Sequence, residues 1–338
     1  MPEAPDAAAE PSAAEPLARA SLAVDAQPVG ETSAEEPPLR VGLIADVQHA
    51  DLPDSRSGYG RARRYRDALG KARLAAADWA DSGCTLAVNL GDTVDRRAGA
   101  DAPAALRRVL DAFGAFGPLL HVLGNHDLSA LPGEDLEKLA LVPAGAPESV
   151  VGPGGRCCDV AAGPGWRLLL LDTYDVSVRR CPDAARALRR RLLCEARERG
   201  LPCAHLAEHE ELNGAVGAAQ LGWLQGRLEA ARARGERAVV LAHAALRPEP
   251  TYYGDAVCWN WQEVSGLLDG FSGVVAAAIT GHDHHGGLVD TEAGVRHCVL
   301  EAALEGPAGG PAHAVLELHS GSVRLVGSGS VRSWKWPS

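Results

Sequence analysis

The sequence has little that would carry it into or across a membrane. No apolar run in its 338 residues is long enough to span a bilayer. The N-terminus lacks the basic start and apolar stretch of a secretory signal peptide, and it is too acidic for an ordinary organelle transit peptide. Cys-x-x-Cys pairs are missing as well. The eight cysteines fall at irregular spacing, with Cys157 and Cys158 adjacent, which excludes a disulfide framework. Reduced thiols, a cytoplasmic location and no membrane partner are expected. A basic domain is also lacking. The formal net charge is −11, so a nucleic-acid partner has no electrostatic support. The glycine-rich stretch 306–310 lacks the Lys-Ser/Thr ending of a nucleotide P-loop, and no internal repeat is found.

What charge there is lies unevenly. Residues 1–38 hold eight acidic side chains against Arg19 alone, a net charge of −7, within a run rich in Ala, Pro and Ser. Such a segment has too little apolar surface to offset its ordering entropy, so it reads as a disordered acidic tail. A single folded domain is expected over 39–338.

Apolar strands are predicted at 40–45, 85–90, 119–123, 167–171, 238–242 and 274–279, with helices at about 61–81, 104–113, 182–200 and 218–235 between them. Strands at 295–301, 314–319 and 323–327 close the chain. Strands alternating with helices imply βαβ units and an α/β fold whose sheet is buried on both faces. The late strand pairs add antiparallel pairing.

The polar residues fall at telling places. Asp46, Asp92, Asn125-His126, His243 and His282 each sit at or just beyond the C-terminal end of a predicted strand, which is where ligands bind in open α/β sheets. A lone Asp after a strand is ordinarily a turn or a helix cap. Five strand ends that all deliver metal-type ligands, with Gly before Asp92, Asn125 and His282, are not explained that way.

These residues carry a resemblance. Asp46-x-Gln48, Gly91-Asp92, Gly124-Asn-His-Asp127, His243 and Gly281-His-Asp-His284 follow the motif order of the calcineurin-like metallophosphoesterases. The resemblance implies a four-layer αββα sandwich and two metal ions. Asp46, Gln48, Asp92 and His284 would hold one ion. Asp92, as a bridge, would hold the other with Asn125, His243 and His282. His126 would face the phosphate as acid or hydrogen-bond donor. Two cations about 3.5–4 Å apart need such a bridging carboxylate and activate water near neutral pH. Histidine and asparagine are neutral ligands, so the centre keeps positive charge for an anionic substrate. His282 and His284, alternating on an extended segment, are expected to point the same way.

One position departs from the commonest pattern. The first motif usually reads Asp-x-His, and here it reads Asp46-Val-Gln48, with His49 one place late and, in a strand, facing the other way. A glutamine oxygen is a harder and weaker ligand than imidazole, which favours Mn²⁺ or Mg²⁺. The stretch 46–54, Arg63-Arg-Tyr65, Leu212-Asn-Gly214, Gln220-Leu-Gly-Trp-Leu224, Val257-Cys-Trp-Asn260 and Gly281–Gly287 resemble the manganese-dependent ADP-ribose/CDP-alcohol diphosphatases, from about Arg40 to near the C-terminus. The resemblance implies a monomer that takes small nucleoside diphosphate derivatives (ADP-ribose, CDP-choline, CDP-glycerol) and releases AMP or CMP. Arg61, Arg63 and Arg64 are then candidates for the distal phosphate. Tyr59 or His49 is a candidate base stack, and Asn213 with Gly214 a nucleoside pocket.

The tail is expected to play no part in the chemistry. A chain truncated to Leu39 should hydrolyse ADP-ribose as fast as the full chain, and a large loss of rate would overturn this.

Overall fold

Apolar sequence begins at Leu39, and so does strand β1. The computed structural model describes residues 37–337 apart from 115, 202, 208, 209 and 253. All but the last two residues of the proposed acidic tail lie outside the described residues. Strands run in chain order as β1 (Leu39–Ile44), the short β2 (Ser55–Arg56) and β3 (Ala62–Arg63), β4 (Leu86–Asn89), β5 (Leu119–His121), β6 (Ser149–Val151), β7 (Cys158–Gly163) and β8 (Trp166–Leu170). They continue as β9 (Arg237–Leu241), β10 (Val275–Thr280), β11 (His285–Asp290), β12 (Arg296–Glu301), β13 (Ala312–Leu318), β14 (Ser322–Gly329) and β15 (Trp334–Pro337). The helices are α1 (Ala68–Asp81), α2 (Ala102–Phe113), α3 (Asn125–Ala130), α4 (Gly133–Ala140), α5 (Pro182–Glu198), α6 (Ala204–Ala207), α7 (Ala218–Arg234) and α8 (Trp261–Asp269).

Two mixed sheets form. One has the order β15-β14-β13-β1-β4-β5 and the other β11-β12-β10-β9-β8-β7-β6. Period-2 alternation decides which residues meet between them. Val41 and Leu43 of β1, Leu86 and Val88 of β4, and Leu120 of β5 pack against Leu168 and Leu170 of β8, Val239 and Leu241 of β9, and Ile279 of β10. The opposite faces are equally apolar and are covered by helices. Ile44 and Ala87 lie under Ala72, Ala75 and Trp79 of α1 and Val109 and Phe113 of α2. Leu169, Val240 and Ala278 lie under Leu221, Leu224 and Leu228 of α7 and Val264 and Leu268 of α8. The result is the four-layer αββα sandwich.

One helix starts later than its periodicity predicts. α1 begins at Ala68 rather than near Arg61, because the residues before it serve other contacts. Ser57 N–H donates to Arg61 O at 2.8 Å in the β2–β3 ribbon, and Arg64 N–H donates to Leu304 O at 3.0 Å. The antiparallel extension β6–β7 was not anticipated. Its glycine-rich surroundings at 152–155 hide the alternation.

Trp79 is fully buried beneath the first sheet, its ring 5.9 Å from that of Phe113 and its Nε1–H donating to Ala314 O at 3.0 Å. Trp79→Ala should cost about 3–5 kcal/mol of unfolding free energy in urea titration. A loss below about 1 kcal/mol would show that this layer collapses around the gap.

Candidate metal centre

Five parallel strands point their carboxyl ends at one place. β1 leads to Asp46 and Gln48, β4 to Asp92, β5 to Asn125 and His126, β9 to His243, and β10 to His282 and His284. β1, β4 and β5 are parallel neighbours in one sheet, and β9 and β10 in the other.

Among the described residues, five non-glycine positions take a positive φ, and all five belong to this set. They are Asp46 (53°), Gln48 (44°), Asp92 (54°), His282 (72°) and His284 (71°). Left-handed backbone costs an L-residue on the order of 1–3 kcal/mol and persists where neighbours over-determine it. Here the loops bind one another. Asp46 N–H donates to Gly91 O at 3.1 Å, Gln48 N–H to Asp92 O at 2.8 Å, and Leu304 N–H to Asp46 O at 3.0 Å. The glycines before Asp92, Asn125 and His282 now have a tertiary reason. A Cβ on Gly91 would press on His243, one on Gly124 on Asp92, and one on Gly281 on Asp46.

His282 and His284 therefore converge through left-handed turns and not through strand alternation as expected. His49 does face away, although Asp46–Gln48 lie beyond the strand. Its Nδ1 is 2.9 Å from Tyr65 O, with the ring buried, so it is no base platform.

Asp92 is the hub. Its Oδ2 accepts from Gln48 Nε2 at 3.0 Å and lies 3.5 Å from His243 Nε2, while Oδ1 accepts from the His126 amide at 2.8 Å. Asp92, His243 and His282 offer ligand atoms all within 4.8 Å of one another. On the other side, His284 Nε2 lies 3.3 Å from Asp46 Oδ1 and 3.1 Å from Gln48 Nε2. Asn125 borders the same space, 3.5 Å from the Tyr174 hydroxyl. Asp46 Oδ1, Gln48 Oε1 and His243 Nε2 are buried yet complete no hydrogen bond. Buried polar atoms are ordinarily paired, so this donor set suits divalent cations.

Burial alone would raise the two carboxyls and lower the histidines, but their mutual attraction outweighs it. Asp46 is held below its ordinary 3.8 by His284, and Asp92 well below it by His243 and His126. His243 is pushed up to about 9 by Asp92 and Asp46, and His284 to about 10 by Asp46 and Glu305. His282 goes the other way, to about 3, through burial and repulsion from His243.

A cavity of about 690 Å³ opens over the cluster, and His126 and Tyr59 line it. Its guanidiniums are Arg56, Arg63, Arg96 and Arg97, and Arg64 is not among them. Arg64 Nη1 donates to Gly306 O at 2.9 Å and so clamps a neighbouring turn. Asn213 and Gly214 likewise stand behind the centre. Asn213 Oδ1 meets His282 Nε2 at 3.1 Å, and a Cβ on Gly214 would press on Thr173 O. Two carboxylates escaped the sequence reading. Asp95 Oδ2 lies 3.2 Å from His126 Nδ1, and Glu305 Oε1 lies 3.0 Å from His284 Nδ1. Asp95 offered a signal, three residues past Asp92; Glu305, in a short 3-10 turn, offered none.

The profile of the calcineurin-like phosphoesterases matches residues 39–286. A rice protein (Oryza sativa subsp. japonica) named manganese-dependent ADP-ribose/CDP-alcohol diphosphatase is 33% identical over 88% of this chain and 93% of its own length. An Arabidopsis thaliana protein of the same name is 31% identical over 89% of this chain and 98% of its own. A crystal structure of a dimetal phosphatase from Danio rerio superposes with TM-score 0.75 at 25% identity, covering 89% of this chain and 99% of that one.

Rings held near 9 and 10 in the fold but ordinarily near 6.5 stabilise the fold fully below about pH 6.5 and lose that effect as pH rises through 9 and 10. Chelated protein should therefore melt at falling temperature between pH 7 and pH 10. Mn²⁺, which needs neutral rings, should bind more tightly over the same rise and release protons as it binds. A flat melting profile together with proton-free binding would show that the rings are already neutral at pH 7.

Proposed function

This chain belongs to the calcineurin-like phosphoesterase family and is a metal-dependent hydrolase, and we propose that it cleaves the pyrophosphate of ADP-ribose and CDP-alcohols such as CDP-choline and CDP-glycerol, releasing AMP or CMP. The observation that carries this reading is the convergence of five strained ligand residues, Asp92 among them, on one buried centre, in a chain whose relatives bear that name.

Two Mn²⁺ ions suit the donors present, with Mg²⁺ as a substitute. Asp46, Gln48, Asp92 and His284 would hold one, and Asp92, Asn125, His243 and His282 the other. Bound there, the pair would supply a nucleophile from water near neutral pH and neutralise phosphate charge. Gln48 has an oxygen to offer, since Oε1 is buried without a hydrogen bond.

The protein's own groups do the rest. His126 Nδ1 lies 3.1 Å from the Arg96 amide nitrogen and 3.2 Å from Asp95, which fixes the ring and leaves Nε2 toward the cavity, 4.0 Å from Asp92 Oδ2. From there it donates to the phosphate or protonates the leaving oxygen. Arg56, Arg63, Arg96 and Arg97 line the wall beside Glu210, Glu211 and Asp255 and offer guanidiniums to two linked phosphates. The volume of about 690 Å³ is within the ordinary range for a nucleotide-sized ligand. Tyr59 lines the wall where a base would lie.

Metal-stripped protein assayed on ADP-ribose and CDP-choline should release AMP and CMP only when Mn²⁺ or Mg²⁺ is added. His126→Ala should lower kcat about 10²–10⁴-fold, and Asp92→Asn should abolish the response to metal. Release only from a cyclic nucleotide or a simple phosphomonoester would keep the hydrolase and overturn the substrate class.

A further inference from the structure

The three histidines of the centre are each anchored at the second ring nitrogen, and the anchors differ. His243 Nδ1–H donates to a backbone carbonyl, Leu90 O, at 2.7 Å. His282 Nε2 meets an amide oxygen, Asn213 Oδ1, at 3.1 Å. His284 Nδ1 alone meets a carboxylate, Glu305 Oε1, at 3.0 Å. A carboxylate behind an imidazole makes the far nitrogen the stronger donor to a cation. His284 shares its side of the centre with Gln48, whose neutral amide oxygen is a weaker donor than a carboxylate or an imidazole.

Glu305 is also held at its Oε1 by more than His284, and Arg61 Nε lies 3.4 Å from its Oε2. Its side chain is fully buried, and Oε1 additionally accepts from the Tyr59 hydroxyl at 2.7 Å and Arg63 Nε at 3.2 Å. The turn that carries it is tied to both ligand loops, through Ala303 N–H to Ala45 O at 2.9 Å and Ala302 N–H to His284 O at 3.2 Å.

We propose that Glu305 is the positioning residue that lets the Gln48 side of the centre hold its cation, by fixing His284 and strengthening its free nitrogen where Gln48 binds weakly. The proposal rests on the two-metal reading above. Because Tyr59 and Arg63 share the same carboxylate oxygen, it also ties metal affinity on that side to the wall of the substrate cavity.

The test is Mn²⁺ binding by electron paramagnetic resonance and calorimetry, on the full chain and its variants. Glu305→Gln should weaken one of two Mn²⁺ ions about 10–100-fold and leave the other within about two-fold. The Mn²⁺ concentration for half-maximal rate should rise as well. Gln48→His in the Glu305→Gln background should recover most of the lost affinity. In a His284→Ala background Glu305→Gln should add no further loss, whereas an equal added loss would mark a general structural effect and overturn the proposal. Unchanged binding of both ions by Glu305→Gln would overturn it too. Should that variant fail to fold, ring-nitrogen NMR of the unaltered, Mg²⁺-loaded protein decides, since a His284 Nδ1 proton without a carboxylate partner refutes it. A full chain that binds no Mn²⁺ at all would instead sink the two-metal reading itself.

Discussion

Asp92 is a carboxylate with no exposure to water, set where two sheets bring their strand ends together. A buried charge of that kind is tolerated only with partners on all sides. Its partners come from the first strand loop (Gln48), from the His126 amide after β5, and from His243 after β9. The ladder between the Asp46 and Asp92 loops, the bare glycines at 91 and 124 and the raised His243 are consequences of packing those groups around one carboxyl. The same crowding that makes the group costly in isolation makes it a bridge for cations.

The centre is strained, and the rest of the molecule offsets that strain. Five left-handed residues at on the order of 1–3 kcal/mol each would threaten a small domain. Here they stand on two sheets whose strands are apolar on both faces, with helices sealing the outer sides. Among the described residues, non-glycine backbone turns left-handed only at the ligands, which is where function is expected to break local rules. Around that shell runs a ring of orienting groups: Asp95 on His126, Asn213 on His282, Glu305 on His284 and the Leu90 carbonyl on His243. They set which nitrogen of each ring faces inward, and so what each can donate to.

The four-layer architecture was implied by the resemblance the motifs carry, while the sequence by itself determined the strands that lead to the site and the residue at the end of each. Those follow from short-range signals: apolar runs of strand length, a polar residue at each terminus, a glycine just before it. What lay beyond it was decided by long-range packing. Helix α1 begins at Ala68 because residues from 55 to 64 are recruited to contacts near Leu304. Asn213 and Arg64, both plausible substrate contacts, are turned to hold His282 and Gly306. Glu305, 21 positions beyond His284 and 242 beyond Arg63, reaches both only once the two sheets are stacked. A side chain's type is local information. Its partner is not, because Gln48 and His284 stand 236 residues apart and meet only in the folded chain.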